Sequence, residues 1–311
     1  MSPIVRPHIV VLGVFVADTA YRAPRPPRMG ETIMGDSFAL GPGGKGSNQA
    51  VAAAMAGGTV HIITRLGMDP FADMALATWK KAGVIPAITQ HADSYTGAAY
   101  IYIESGTGNN AIIICPGVAA TISTADIDAQ ADLIGTAKVF ITQLEQPLAA
   151  ALQALKIARA GGARTILNPA PAAPLLPGML DLCDYVTPNE SEAEALTGLP
   201  VTSVEEAAKA AQKLRQMGAG AAIITLGANG ALYHDATRTF HTPAISAGPV
   251  LETTGAGDAF NGGFAVAIAE GMSPEPAVRF GCAVAGISVT RAGTAPSMPS
   301  RPEIEALLAR S

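Results

Sequence analysis

The chain has 311 residues, 49% of them apolar and only 14% charged, which provides for a large core and excludes a disordered chain. A formal net charge of −5, with no Lys/Arg cluster, leaves no electrostatic footprint for nucleic acid. The 3 cysteines (Cys115, Cys183 and Cys282) are odd in number and lack metal-ligand spacing, which points to free thiols in a reducing compartment.

Ile9 to Val16 reads as a buried first strand, with Asp18 at its end. Behind Arg6 this apolar run is too short for a secretory signal, and Asp18 stands where a cleavage site wants small residues. No apolar run approaches the length of a membrane span, so the expectation is a soluble, cytoplasmic protein. A Pro-rich loop, Ala23 to Arg28, leads to a strand over Glu31 to Leu40. Ser47 to Ala56 is a small-residue helix entered from a glycine-rich loop. Val60 to Thr64 is a strand and Pro70 to Ala82 a helix. Gly97 to Cys115 holds two antiparallel strands around the turn Ser105 to Asn110. Lys138 to Thr142 is a strand, and Pro147 to Ala160 a helix that starts with Pro. Arg164 to Leu167 and Asp184 to Thr187 are strands, with the Pro-rich loop Asn168 to Pro177 after the first. Glu190 to Leu196 and Val204 to Met217 are helices. Ala222 to Leu226 and Ala231 to His234 are strands. Helices over Ala259 to Glu270, Pro274 to Thr290 and Ile304 to Ala309 complete the chain.

This alternation predicts an α/β fold, a mainly parallel central sheet with helices on both faces. The strands at about 31–40 and 97–115 break it and read as a small antiparallel sheet, a candidate lid or dimer surface beside the site, or an ordinary edge hairpin. One domain over 1–311 is expected, without repeats or low-complexity linkers.

The stretch Glu252 to Gly263 carries the chemistry. Gly255, Ala256 and Gly257 precede an apolar helical pattern, so they sit at a helix N-terminus, where free amides and the positive dipole make an anion site. Asp258 follows at once. A carboxylate repels an anion, so it makes little sense there as a binder. It makes sense as a base that deprotonates a hydroxyl attacking a phosphate. An ordinary Gly-Ala-Gly junction with Asp in a first turn is the plainer alternative. Gly41 to Asn48 opens the earlier helix and lacks Walker A spacing. Its Lys45 and Asn48, on a sterically open turn, suit a polyhydroxylated ligand, or the turn is simply tight. Asp18, Glu145, Asn189 and Thr225 recur at strand C-termini, the rim where α/β sheets bind ligands, and Asn189 also suits an N-cap. The 5 histidines have no metal spacing and are expected to be structural or surface residues. No Gly-x-Ser-x-Gly elbow supports a hydrolase, and no Gly-x-Gly-x-x-Gly follows the first strand, which argues against a dinucleotide oxidoreductase.

Gly43 to Asn48 and Thr253 to Asp258 resemble the two signatures of the PfkB-type carbohydrate kinases. Within that family the likeness is nearest to the ribokinase branch, through Pro26 to Gly35, Gln143 to Glu145, Leu167 to Pro171, Thr187 to Glu190, Thr225 to Gly227, Val289 to Arg291, Gly293 and Pro296-Ser297. It runs from about Val10 to the C-terminus. The resemblance implies a ribokinase-like fold and an ATP-dependent kinase acting on a primary hydroxyl of a pentose-like sugar. Asp258 would be the base, and the Gly255, Ala256 and Gly257 amides would stabilise the transferring phosphoryl group. Val16, Asp18, Gly44, Lys45, Asn48, Glu145 and Asp258 would line the sugar. Asn189, Thr225, Leu226, Gly227, Gly230 and Gly257 would follow the nucleotide, with Cys282 at the adenine. Mg²⁺ would be held mostly by phosphates and water, with Glu192 in an outer role. K⁺ would lie under the anion site near Glu252, Thr254, Ser288, Arg291, Gly293 and Ser297, mostly through carbonyls.

Two positions depart from the family pattern. Val16 stands where ribokinases usually carry an Asn that bonds sugar hydroxyls, which suggests 2-deoxyribose or a different ring, with ribose retained if water or a neighbour fills in. Glu252 stands where Asp is usual, which puts the cation site in question. A nucleoside or pseudouridine kinase and a non-catalytic sugar-binding regulator are the alternatives. The lid strands suggest a homodimer.

Overall fold

The structure is a computed structural model that describes residues 8–311. Arg6 and the first seven positions of the expected domain lie outside the described residues. The first part of the chain runs β1 (His8–Leu12), β2 (Val16–Ala23), β3 (Ser37–Gly43), α1 (Lys45–Met55), β4 (Thr59–Gly67), α2 (Pro70–Ala82), β5 (Ile85–His91), β6 (Thr96–Glu104) and β7 (Asn110–Gly117). It continues α3 (Thr124–Asp128), α4 (Ala131–Gly135), β8 (Val139–Thr142), α5 (Leu148–Ala160), β9 (Arg164–Leu167), β10 (Tyr185–Val186), α6 (Glu190–Thr197) and α7 (Val204–Gln216). Last come β11 (Ala221–Thr225), β12 (Ala231–His234), β13 (Thr239–Thr242), α8 (Ala256–Ala269), α9 (Pro274–Ser288) and α10 (Arg301–Leu308).

Nine strands form one sheet in the order β13-β12-β11-β10-β9-β8-β1-β4-β5. Its pairs from β5 to β11 are parallel, and β12 and β13 extend it antiparallel. Side chains of a strand alternate between faces. Ile9 and Val11 of β1 therefore join one buried cluster, with α1, α2, α8, α9 and α10. Val10 and Leu12 join the other, with α3 to α7. Burial on both faces explains why the central strands read as unbroken apolar runs.

A second sheet of four strands, β3-β2-β6-β7, stands apart. It is antiparallel except between β2 and β6. The expected first strand is corrected here: β1 ends at Leu12, and Val16 begins β2 of the small sheet. Asp18 is thus not at the end of a main-sheet strand. Val14, Phe15 and Val16 are all buried, so hydrophobicity carries no mark of the turn between the two sheets. The expected strand over Glu31 to Leu40 lies later, at Ser37–Gly43. β5, the short β13 and the five-residue helices α3 and α4 were not expected from the sequence. Among the described residues, no helix is long and apolar enough to cross a membrane.

Candidate active site

Two helix N-termini meet over the C-terminal ends of the parallel strands. α1 starts at Lys45 behind its N-cap Gly44. α8 starts at Ala256 behind Gly255, whose φ of 80° lies in the left-handed region that favours glycine. The two helices pack closely because Gly262 has no side chain: a Cβ there would lie 2.5 Å from Ala52 Cβ. Their first turns are brought together, and with them the two glycine-rich motifs, more than 200 residues apart in sequence (roughly Gly43 against Gly255).

Asp258 lies in the first turn of α8 and is 6% exposed. Its Oδ2 accepts from Asn48 Nδ2 at 3.1 Å and its Oδ1 from Gln49 Nε2 at 3.0 Å. Burial raises its pKa above the ordinary carboxylate value, and Lys45, Gln49 and Asn48 act in the opposite direction. Beside it, the Ala256 N–H is turned back to the Thr253 carbonyl at 3.1 Å. Among the described residues, that leaves the amides of Gly255, Gly257 and Asp258 without a backbone acceptor, and Gly257 is exposed. Of the three amides expected to face an anion, Ala256's is therefore the one already engaged.

Carboxylates crowd around the single ammonium of Lys45. Glu145, in the turn after β8, accepts the Lys45 backbone N–H at 2.8 Å. Burial pushes its pKa up to about 7, against the pull of Lys45. Asp18 is raised to about 6, by burial and then by repulsion from Asp258 and Glu252. Burial would lower the Lys45 pKa, but Asp258, Glu145 and Glu192 outweigh it and raise it. Such a site is short of positive charge and rich in acceptors. It can hold a ligand that brings several hydroxyl donors.

A buried polar relay supports this cluster, and the sequence reading gave none of its members a role. Gln49 also donates to Asn168 Oδ1 at 3.0 Å and accepts from Gln143 at 2.5 Å. Asn168 donates to the Thr187 carbonyl at 2.9 Å. Thr187 Oγ1 donates to Asn261 Oδ1 at 2.6 Å, and Asn261 donates to the Gly257 carbonyl at 2.8 Å. The relay ties the ends of β8, β9 and β10 to both helices. Gln143, Asn168 and Thr187 stood inside quoted motifs, whereas Gln49 and Asn261 look like ordinary helix polar residues, so only their burial marks them.

Asn189 is an N-cap, as its residue type allowed: it accepts from Glu192 N at 2.8 Å, and Glu192 Oε2 accepts the Asn189 N–H at 2.9 Å. Next to it, β11 ends at Thr225, Leu226 is buried, and the turn Gly227–Asn229 is exposed up to the buried Gly230. Cys282 is 6% exposed on α9 and packs in the core, where burial pushes its thiol up to about 12. It has no bond to the polar cluster. Of the residues expected near a cation, Glu252 and Thr254 precede α8, Ser288 ends α9, Arg291 and Gly293 follow it, and Ser297 closes a short helical turn. Leu251 and Glu252 donate to the Val289 carbonyl, and Gly293 N–H donates to Glu252 Oε2 at 2.8 Å. The Ser288 and Ser297 hydroxyls donate to Ala285 and Thr294 carbonyls, and Arg291 turns its side chain to Glu303. Thr254 is exposed.

Comparison with known proteins gives a match to the family described as pfkB family carbohydrate kinase over residues 6–301. The chain is 36% identical to a ribokinase of Haemophilus influenzae over 301 residues, 96% of this chain and 97% of that protein. It is 34% identical to a deoxyribokinase of Salmonella typhi over 298 residues, 94% of this chain and 95% of that protein. The solved ribokinase of Arabidopsis thaliana complexed with ribose and ATP is similar at a TM-score of 0.92 and 31% identity, covering 98% of this chain and 100% of that one.

Proposed function

Because the chain belongs to the pfkB family of carbohydrate kinases, we propose that it transfers the γ-phosphate of ATP to the primary hydroxyl of a pentose-like sugar, with Asp258 as base. The observation that carries this reading is the Asp258 carboxylate, buried beside the unpartnered amides at the N-terminus of α8. The sugar hydroxyl gives its proton to Asp258 while its oxygen bonds to the γ-phosphorus. The bond from that phosphorus to the β–γ bridging oxygen breaks, and ADP leaves. The Gly255 and Gly257 amides and the helix dipole face the charge on the transferring group. Ala256 joins them only if it releases Thr253.

Asp18, Glu145, Lys45, Asn48 and the Gly44 turn hold the sugar. Asp18 supports this role because, among the described residues, its carboxylate accepts no protein hydrogen bond and so is free for a hydroxyl. Asn189 and Thr225 to Gly230 lie along the nucleotide, and α9 at Cys282 backs the adenine. Mg²⁺ on the ATP phosphates supplies charge neutralisation, and Glu192 suits its outer shell because one carboxylate oxygen stays outside the capping box. K⁺ would be held near Glu252, Thr254, Ser288, Arg291, Gly293 and Ser297, mostly by backbone carbonyl oxygens. Arg291 contributes its carbonyl there, since its guanidinium is paired with Glu303. The whole chain acts as a single kinase domain.

Val16 selects the sugar. It is 2% exposed on β2 and, two residues before Asp18, shares a strand face with it. Leaving a sugar hydroxyl unpaired against this valine costs about 1–3 kcal/mol, which is roughly a 5- to 150-fold preference for the sugar lacking it. We therefore favour 2-deoxyribose over ribose. The test is ATP-dependent phosphorylation of ribose, 2-deoxyribose, fructose, 2-keto-3-deoxygluconate, adenosine and pseudouridine, with and without KCl. Val16→Asn is expected to reverse a preference for 2-deoxyribose. Clear preference for ribose with the valine in place would remove the Val16 argument, and turnover of a nucleoside alone would remove the sugar.

We assign the open face of the small sheet to a second copy of the chain. Tyr21 packs on Phe38 and Tyr100, with ring centroids at 5.1 and 5.4 Å, yet Tyr21 is 43% and Phe38 58% exposed. Ile113 beside them is 63% exposed. An apolar patch of this kind marks an interface. Ile113→Glu is expected to convert a dimer to a monomer in sedimentation velocity. A monomeric parent protein would refute the assignment.

A further inference from the structure

The Asp258 carboxylate meets only donors, and the buried relay behind it explains why. The Thr187 carbonyl can only accept, so Asn168 must turn its Nδ2 toward it, at 2.9 Å. Asn168 Oδ1 then faces Gln49. An oxygen there requires Gln49 to present its Nε2, which lies 3.0 Å from Asn168 Oδ1 and 3.0 Å from Asp258 Oδ1. Gln143 secures the other end of the same amide by donating to Gln49 Oε1. If Gln49 flipped, its oxygen would face two acceptors and its NH₂ would face another NH₂. The amide cannot turn without breaking every bond it makes. Gln49 and Gln143 have no exposed surface and Asn168 is 6% exposed, so water cannot repair the loss. A second branch starts from another carbonyl: Asn261 donates to Gly257 and accepts from Thr187. It fixes the first turn of α8, which carries Asp258.

We propose that Gln49 is a positioning residue for phosphoryl transfer, holding the Asp258 carboxylate as an acceptor aimed into the site through a relay polarised by the Thr187 carbonyl. The proposal rests on the reading of Asp258 as the base. Asn48 holds the other carboxylate oxygen, but its own buried Oδ1 has no partner among the described residues, so its amide is not fixed from behind. The Gln49 amide is, because Gln143 and Asn168 occupy it from behind. A buried carboxylate on its own takes up a proton and ceases to be a base. Lys45, Asn48 and Gln49 on α1 oppose that uptake, whereas Asp18 on β2, Glu145 after β8 and Glu192 on α6 surround the site with like charge. Gln49 is the neutral donor that stays in place when substrates come and go.

The test is the pH profile of kcat/KM for Gln49→Met, which keeps side-chain volume and removes the donor. The acidic limb is expected to move up by about one pH unit, since a bond to a charged group is lost. At pH 7, kcat falls by about tenfold or more, and the sugar KM stays within about threefold. A merely structural role would reduce the amount of folded enzyme and leave the limb where it was. Gln143→Met, which frees the Gln49 amide, should move the limb the same way by a smaller step. If Gln49→Met does not fold, an unmoved limb in Gln143→Met overturns the proposal. An unmoved limb in Gln49→Met, with Asp258→Ala inactive, overturns the positioning role and leaves the base reading standing. Turnover retained by Asp258→Ala overturns both.

Discussion

Asp258→Ala is expected to lower kcat by about a hundredfold to ten-thousandfold, the usual contribution of a positioned general base. Sugar affinity by calorimetry should stay within about threefold, because Lys45, Glu145 and Asp18 remain. Nucleotide affinity should rise. The carboxylate sits at the positive end of α8 and competes there with phosphate oxygens, so its removal lets the free amides of Gly255 and Gly257 bind the anion unopposed. Folding cost is limited: the variant leaves Asn48 and Gln49 donors unpaired but also removes a carboxylate whose burial is unfavourable. Turnover within tenfold of the parent would sink the assignment of Asp258. A parent protein that binds sugar and never phosphorylates one would instead favour a sugar-binding regulator.

Glu145→Gln should make the ligand-free protein more stable at pH 8 and cost it activity. Burial raises the Glu145 pKa from 4.5 to about 7. The folded state therefore favours the protonated form. Its contribution to stability is intact below about pH 4.5 and is lost as pH rises through 7. A shift of that size corresponds to about 3 kcal/mol, of which part is returned because Gln no longer balances the Lys45 charge. Gln keeps the acceptor for the Lys45 N–H, so the start of α1 stays anchored. The thermal midpoint of the variant should exceed the parent's at pH 8 by a few degrees and match or trail it at pH 5. The sugar KM should rise by about tenfold or more, because a neutral amide is a weaker acceptor for a sugar hydroxyl than a carboxylate. A variant midpoint no higher than the parent's at pH 8 would show that the carboxylate is not strained by burial. Asp18, raised to about 6, follows the same sign over a lower pH window. Both residues are the kind of destabilised group that a ligand site retains for its function.

Several features were legible because they are local. The loop-to-helix junctions at Gly44 and Gly255 follow from glycines placed just before helical periodicity. Asn189 and Glu192 spell a capping box three residues apart, and the structure closes both of its bonds. The doubly covered sheet follows from alternating strand and helix patterns with strands apolar on both faces.

Val16 and Asp18 show where such reading stops. Their strand belongs to the small sheet, but the run from Ile9 to Ala17 is apolar throughout because both sheets bury it. The turn within this run has no exposed residue to announce it, and pairing of β2 with β3 and β6 is a long-range choice. The same limit hid Gln49. A polar residue in a helix is ordinarily solvated, and nothing in its neighbours says that Gln143, Asn168 and Asp258 converge on it from three other segments.

Local propensity and periodicity thus determined this protein's elements, its helix starts and the residue types able to move a proton to a base beside an anion site. Only the tertiary structure decided which polar groups face one another, how burial sets the charge of Asp18, Glu145 and Asp258, and which way the Gln49 amide points. Those depend on contacts between residues 94 to 210 positions apart in the chain, as Gln49 with Gln143 and Asn48 with Asp258 are. Desolvation and hydrogen-bond polarity exist only once the chain has excluded water from between them.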